Sequence, residues 1–90
     1  MGDTAMSGKG RTKTELDFDE NLGRLIMKRR LSLSMSRSAL AKAANCSVEQ
    51  VRKYEMGQNR ISAFRLFRIV DRLGARLWSE IFAMYPPGEG

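Results

Sequence analysis

The 90-residue sequence predicts an all-α domain of five short helices. Between residues 19 and 85 the apolar side chains recur at helical spacing, without the alternation or β-branched runs of a sheet. Serine residues precede three of the apolar segments, and asparagine or glycine follows them, as expected of helix caps. Hydrophobic residues make up 42% of the chain, which suffices for one compact core and excludes a wholly disordered protein.

The two ends of the chain are expected to lie outside this domain. Residues 1–18 are rich in glycine, serine and threonine, so they are predicted to form a flexible N-terminal arm. Residues 86–90 contain prolines and glycines that cannot continue a helix, and they are predicted to form a short tail. The predicted domain therefore spans residues 19–85.

Each helix has a start signal and an apolar stripe. The first is expected to begin after Asp19, a competent N-cap, and serine caps are expected for the next three. The predicted ranges are 37–44 for the second helix, 48–55 for the third, 63–73 for the fourth and 77–85 for the fifth. The residues expected to face the core in the first four helices are Leu22, Leu25, Ile26, Leu40, Ala41, Ala44, Val51, Tyr54, Leu66, Phe67, Ile69, Val70 and Leu73.

The second and third helices are joined by a very short turn. Only Asn45 and Cys46 separate the second helix from the Ser47 cap, so the two helices must cross steeply. Their backbones then come close, and the small side chain of Ala41 is expected at the contact. This spacing is that of a helix-turn-helix, whose second helix lies in the major groove of DNA.

Positive charge is concentrated in the same region. Residues 21–85 hold thirteen basic and four acidic residues, a balance of +9, whereas the whole chain carries +6. This excess is more than solubility requires and indicates a polyanionic partner, either nucleic acid or an anionic membrane surface.

The outward face of the third helix supplies the candidate base contacts. Arginine and lysine can donate to guanine, glutamate can accept from the cytosine amino group, and valine can contact a thymine methyl. Helix starts and the loop after the third helix suit phosphate oxygens. The candidate base contacts are Val48, Glu49, Gln50, Arg52 and Lys53, and the candidate backbone contacts are Ser36, Arg37, Ser47, Asn59 and Arg60.

Simpler interpretations exist for several of these residues. Arg52 and Lys53 by themselves are an ordinary solvated helix face, and only their place in a basic helix-turn-helix favours a DNA contact. Glu49 is explained equally well by the helix dipole, and Val48 by packing against the second helix. Cys46 is interpreted as a small core residue rather than a redox sensor, since the chain offers it no resolving partner.

Two further surfaces have alternative interpretations. Four arginines along the fourth helix and the following loop serve either flanking phosphates or solubility, and we favour solubility for the outer members. Aromatic residues of the fifth helix either cap the monomer core or form a two-fold interface. The arginines are Arg65, Arg68, Arg72 and Arg76, and the candidate dimer interface consists of Trp78, Ile81, Phe82 and Tyr85.

The combined pattern resembles the Cro/C1-type (XRE) helix-turn-helix repressors of phages and bacteria, in a version common among alphaproteobacterial regulators. The resemblance covers about residues 21–82 and rests on SRSALA at 36–41, VRKYEMG at 51–57 and QNRISAFRLFRI at 58–69. It implies a lambda-repressor-like five-helix domain that binds palindromic DNA as a homodimer.

The resemblance also implies roles for single residues. Arg37 occupies the position where the family most often has a glutamine that contacts the DNA backbone. Asn45 and Cys46 replace the usual glycine and aliphatic residue of the turn. Arg30 is paired with Glu55, either at the surface or partly buried, where it would fix the first helix against the third.

The sequence therefore predicts a sequence-specific regulator of transcription that binds double-stranded DNA, a repressor in the cytoplasm associated with the nucleoid. The alternative is an antitoxin-like or other protein-interaction module with secondary DNA binding. The basic residues of the arm, Lys9, Arg11 and Lys13, are candidates for additional backbone or minor-groove contacts.

Other classes of function are not favoured. A chain without histidine, with one cysteine and scattered carboxylates, suggests no enzyme, metal, cofactor or small-molecule site. Membrane binding is disfavoured because the arginines of the fourth helix lack an apolar flank and no apolar run approaches a span.

Overall fold

The computed structural model describes residues 10–86 and 88, which form five α-helices and no strand. The predicted all-α class is therefore confirmed for these residues, as are the ranges of the second, third and fourth helices. The fifth helix begins and ends one residue earlier than predicted. The helices are α1 (Lys13–Ser32), α2 (Arg37–Ala44), α3 (Val48–Glu55), α4 (Ala63–Leu73) and α5 (Arg76–Met84). Within the described part of the chain, no helix combines the length and apolar character needed to cross a membrane.

The predicted start of the first helix is wrong, because α1 begins at Lys13 rather than after Asp19. Thr12 and Glu15 form a capping box: the Thr12 hydroxyl accepts from the Glu15 N–H at 3.1 Å, and the Glu15 carboxylate accepts from the Thr12 N–H at 2.9 Å. Asp19 instead lies buried within the helix, 5% exposed. The sequence signal for this earlier helix start is the Thr-x-x-Glu pattern of residues 12–15, which follows a glycine-rich segment.

The predictions for the chain ends fall partly outside the described residues. Residues 1–9 of the predicted arm are outside, as are Pro87 and residues 89–90 of the predicted tail. Residues 13–18, which were assigned to the arm, belong to α1.

The three predicted serine caps are confirmed. The hydroxyl oxygens of Ser36, Ser47 and Ser62 each accept a hydrogen bond from a backbone N–H three residues later, at 3.0–3.1 Å. Asn45 ends α2 in the left-handed conformation, with φ at 59°, as the tight turn requires. The helix-turn-helix pair α2–α3 is thus built from local signals that the sequence displays.

The core lies between the helix-turn-helix pair and the three other helices. The fully or almost fully buried apolar residues are Leu22, Ile26, Met35, Leu40, Ala41, Ala44, Val51, Tyr54, Ile69, Val70, Leu73, Leu77 and Ile81. Leu25, Cys46 and Leu66 pack partly buried against this core. Phe67 was predicted to be in the core but is 60% exposed, because Ile69, Val70 and Leu73 already fill the inward face of α4.

A glycine sets the distance between α1 and α3. A Cβ atom on Gly23 would collide with the carbonyl oxygen of Tyr54 and lie 2.6 Å from that of Glu55. The backbone of α1 therefore touches the last turn of α3 directly. This contact fixes the position of the helix that carries the candidate base contacts.

Candidate nucleic-acid interface

The third helix divides its residues between an inward and an outward face, as predicted. Val51, Tyr54 and Glu55 are at most 5% exposed. On the outward face Val48 is 47% exposed, which is inconsistent with complete burial against α2. α3 therefore has one face packed on the domain and another that is available to a partner.

Two of the candidate base contacts are joined to each other. Arg52 donates from Nε and Nη2 to the two carboxylate oxygens of Glu49, at 3.0 and 2.6 Å. These hydrogen bonds lower the pKa of Glu49 and raise that of Arg52, and the positive charges of Lys53 and Arg37 lower the pKa of Glu49 further. The Glu49 carboxylate is therefore ionised at neutral pH.

The C-terminal end of α3 is held in place by the buried carboxylate of Glu55. Glu55 accepts from Arg30 at 2.6 and 3.1 Å and from Nε of Arg37 at 2.9 Å. Arg30 also donates to the carbonyl oxygen of Met35 at 2.8 Å, so one guanidinium links α1, α3 and the start of the helix-turn-helix. The pairing of Arg30 with Glu55 that the resemblance implied is present and buried.

Arg37, a predicted contact to DNA phosphates, donates from Nε to the carboxylate of Glu55 in this structure. Its side chain is 31% exposed, so it is not withdrawn from the surface. The two other candidates at helix starts, Ser36 and Ser47, are exposed, and each uses its hydroxyl oxygen as an acceptor. The hydroxyl hydrogen of each serine is thus left to donate.

The loop after α3 is attached to the acidic start of α1. Arg60 lies 3.5 Å from a carboxylate oxygen of Glu15 and 3.5 Å from one of Asp19, while Asn59 is half-buried. Of the two predicted backbone contacts in this loop, Arg60 remains exposed at the surface.

Arg11 is a residue that sequence reasoning misplaced. It was assigned to a mobile arm, yet it donates to Asp19 at 2.7 Å and to the carbonyl oxygens of Gly57 and Gln58 at 3.2 and 3.1 Å. It thereby joins the segment before α1 to the loop after α3. The capping box at Thr12 was the available signal, since it orders the backbone next to Arg11.

Two of the four residues predicted for the dimer interface belong to the monomer. Ile81 is 7% exposed in the core. The Tyr85 hydroxyl accepts from Asn21 at 2.8 Å, and its ring packs on Phe18 with the centroids 5.0 Å apart. These contacts agree with the simpler interpretation, in which the two residues cap the core of the monomer.

The other two predicted interface residues, Trp78 and Phe82, lie near Phe67, which was predicted to be in the core. Trp78 and Phe82 stack with their ring centroids 6.2 Å apart, and Phe82 is 51% exposed. Phe67 and Trp78 line the same groove between α4 and α5. We call Phe67, Trp78 and Phe82 the aromatic surface.

The four arginines, three on α4 and Arg76 at the start of α5, do not form one free ridge. Arg68 donates twice to the carbonyl oxygen of Ala43, at 3.0 and 3.2 Å, and so satisfies the end of α2. Arg65 lies 3.5 Å from the Tyr54 hydroxyl. Only Arg72 and Arg76 are exposed. Arg65 and Arg68 therefore make contacts within the domain.

Comparison with known proteins agrees with this architecture. A family model described as helix-turn-helix matches residues 26–77, more than half of the chain. The chain is 39% identical over 62 residues to an uncharacterized transcriptional regulator in the ATPase CF(0) region of Rhodospirillum rubrum, covering 69% of this chain and 57% of that protein. It is 46% identical over 55 residues to an uncharacterized HTH-type transcriptional regulator of Sinorhizobium fredii, covering 61% and 38%.

A third relative, an uncharacterized HTH-type transcriptional regulator of Sinorhizobium medicae, is 35% identical over 73 residues, covering 81% of this chain and 51% of its own length. The chain thus spans about half the length of the curated relatives it matches. From the matched model and the α2–α3 geometry, the chain belongs to the helix-turn-helix family of the Cro/C1 (XRE) type.

Proposed function

We propose that this protein is a sequence-specific transcriptional regulator that binds double-stranded DNA by placing α3 in the major groove. The observation that carries the proposal is the division of α3 into a buried, fastened face and an outward face with Glu49, Arg52 and Lys53. Such a helix presents its side chains in a fixed orientation, which base recognition requires. The +9 balance of residues 21–85 and the names of the relatives support the same function.

Phosphate contacts on either side of α3 would set its register. Ser36 and Ser47 stand at the starts of the two helices of the motif, where backbone N–H groups and hydroxyls suit phosphate oxygens. Arg37, Asn59 and Arg60 extend this surface. In the free protein the guanidinium group of Arg37 is paired with Glu55, and that of Arg60 with Glu15 and Asp19, so a phosphate contact would share these groups between a carboxylate and the DNA.

The regulator acts as a homodimer on a palindromic operator and represses by occluding the promoter. One α3 helix has only eight residues, so it reads only a half-site. Pairing two copies through the aromatic surface would supply a second α3 about 34 Å along the DNA. Support comes from the exposed side chains of Phe67 and Phe82 and from the partly buried Trp78, which lines a groove with Phe67 and stacks on Phe82.

The decisive experiment compares two double variants of equal charge. We expect genome-wide immunoprecipitation of the tagged protein to give sharp peaks that share a palindromic motif. Arg52→Ala/Lys53→Ala should lose these peaks, whereas Arg72→Ala/Arg76→Ala, which removes two exposed charges elsewhere, should keep them. Diffuse or absent enrichment of the unmodified protein would instead favour the antitoxin-like module, whose main contact is with another protein.

A further inference from the structure

The Glu49–Arg52 pair places a negative charge on the surface that we propose to meet DNA. The pair lies on the outward face of α3, with the side chains 58% and 37% exposed. It places an ionised carboxylate in the first turn of the helix, where it would meet the phosphate-rich groove. A negative charge there opposes binding unless a base donates a hydrogen bond to it.

The pair also limits what Arg52 can do. Two of its N–H groups are engaged by Glu49, and the others remain as donors. While so engaged, Arg52 is partly neutralised and is held against its own helix. An exposed ion pair is held only weakly, so exchanging its partners for groups on DNA needs little free energy.

We propose that Glu49 determines selectivity by holding Arg52 back from phosphates on unrelated DNA and releasing it where a cytosine amino group is offered to the carboxylate. At such a site Glu49 accepts from cytosine N4, and Arg52 donates to the O6 and N7 of a guanine in an adjacent base pair. The two residues then read neighbouring G·C pairs as a unit. This inference rests on the proposed placement of α3 in the major groove.

The geometry favours this role over a purely structural one. The start and the orientation of α3 are already determined by the Ser47 cap and by the buried side chains of Val51, Tyr54 and Glu55. The exposed pair adds little to that framework. Glu49→Gln keeps the shape of the side chain but removes its charge, so it releases Arg52 without deforming the helix.

The test measures both base preference and non-specific affinity. The unmodified protein, Glu49→Gln and Glu80→Gln are used to select from a randomised duplex library, and their binding to the selected duplex and an unrelated duplex is titrated by fluorescence anisotropy at several salt concentrations. Glu80→Gln is the matched control, because it makes the same charge change at the Arg76–Glu80 pair of α5.

We expect Glu49→Gln to bind the unrelated duplex several-fold more tightly, with the slope of log K against log salt steeper by about one. Its preference for the cytosine-containing base pair should fall about tenfold. Glu80→Gln should keep the motif and the salt slope of the unmodified protein. A purely structural Glu49 would leave both quantities unchanged.

The outcomes separate this inference from the function on which it rests. If the unmodified protein selects no motif, the proposed function itself fails. If it selects a motif that Glu49→Gln reproduces with the same salt slope, DNA recognition by α3 stands and the role of Glu49 is overturned. Equal changes in Glu49→Gln and Glu80→Gln would likewise overturn it, since net charge alone would explain them.

Discussion

Arg30 of α1 and Glu55 at the end of α3 form a buried ion pair in which Nε and Nη2 meet the two carboxylate oxygens at 2.6 and 3.1 Å. Their side chains are only 7% and 0% exposed. Arg37 also donates to the Glu55 carboxylate, and Arg30 also donates to the carbonyl oxygen of Met35. The helix with the candidate base contacts is therefore positioned by a fully partnered polar cluster as well as by apolar packing.

Removing the carboxylate from this cluster should be severely destabilising. Glu55→Ala leaves the buried Arg30 without a counter-charge, and we expect the free energy of unfolding to fall by about 3–5 kcal/mol, measured by urea denaturation. Arg30→Met combined with Glu55→Ala should recover part of the loss, because no lone charge then remains buried. A loss of less than 1 kcal/mol in Glu55→Ala would contradict this account.

The contact at Gly23 predicts that even one methyl group is not tolerated. In Gly23→Ala the new Cβ meets the carbonyl oxygens of Tyr54 and Glu55, so α1 and α3 must separate. We expect a net loss of about 1–3 kcal/mol in the free energy of unfolding, although alanine favours a helix. Gly88→Ala, where nothing lies within 4 Å, is the control and should be neutral. An equally stable Gly23→Ala would show that the helices can move apart freely.

The aromatic surface predicts how the protein associates. Phe67→Glu combined with Phe82→Glu places charges on two side chains that are 60% and 51% exposed, so the monomer should fold normally. We expect sedimentation velocity to show a dimer for the unmodified protein and a monomer for this variant. Leu31→Glu is the control, because Leu31 is 55% exposed at the end of α1. A dimer that survives the double substitution must use another face.

Arg11 should stabilise the domain although it precedes the first helix. Arg11→Ala removes three hydrogen bonds and, among the residues that the structure describes, leaves the buried Asp19 with only Arg60, at 3.5 Å. We expect a loss of about 1–3 kcal/mol in the free energy of unfolding. Lys13→Ala removes an exposed pair with Asp17 and should change stability little. If the two variants are equally stable, the Arg11 contacts contribute nothing.

The capping box should make stability depend on pH. The backbone N–H of Thr12, with Arg60 assisting, lowers the pKa of Glu15 below the ordinary glutamate value of 4.5. The ionised carboxylate therefore stabilises the fold above pH 4.5, and this contribution is lost as the pH falls through the lower pKa of the folded state. Glu15→Gln should be less stable than the unmodified protein at pH 7, with the difference shrinking at pH 3. A difference that is constant with pH would argue against an ionic role for Glu15.

Local signals determined much of this protein. The Ser36, Ser47 and Ser62 caps, the left-handed Asn45 and the helical spacing of apolar residues act over a few residues each, so the sequence predicted α2, α3 and α4 to the residue. The same locality placed Val51, Tyr54 and Glu55 on the inward face of α3. The family pattern in residues 36–69 combines these signals, and the matched family model confirms that resemblance.

Contacts between distant segments decided the rest. Arg11 is ordered because Asp19, Gly57 and Gln58 converge on it, and a glycine-rich composition does not reveal that convergence. Phe67 is exposed because Ile69, Val70 and Leu73 fill the inward face of α4, and Ile81 is buried because that side of α5 packs on the core. Whether Glu55 is a surface or a buried partner of Arg30 likewise depends on the close approach of α1 and α3. Periodicity gives the direction of a side chain around its own helix, whereas its burial depends on which neighbour covers that direction.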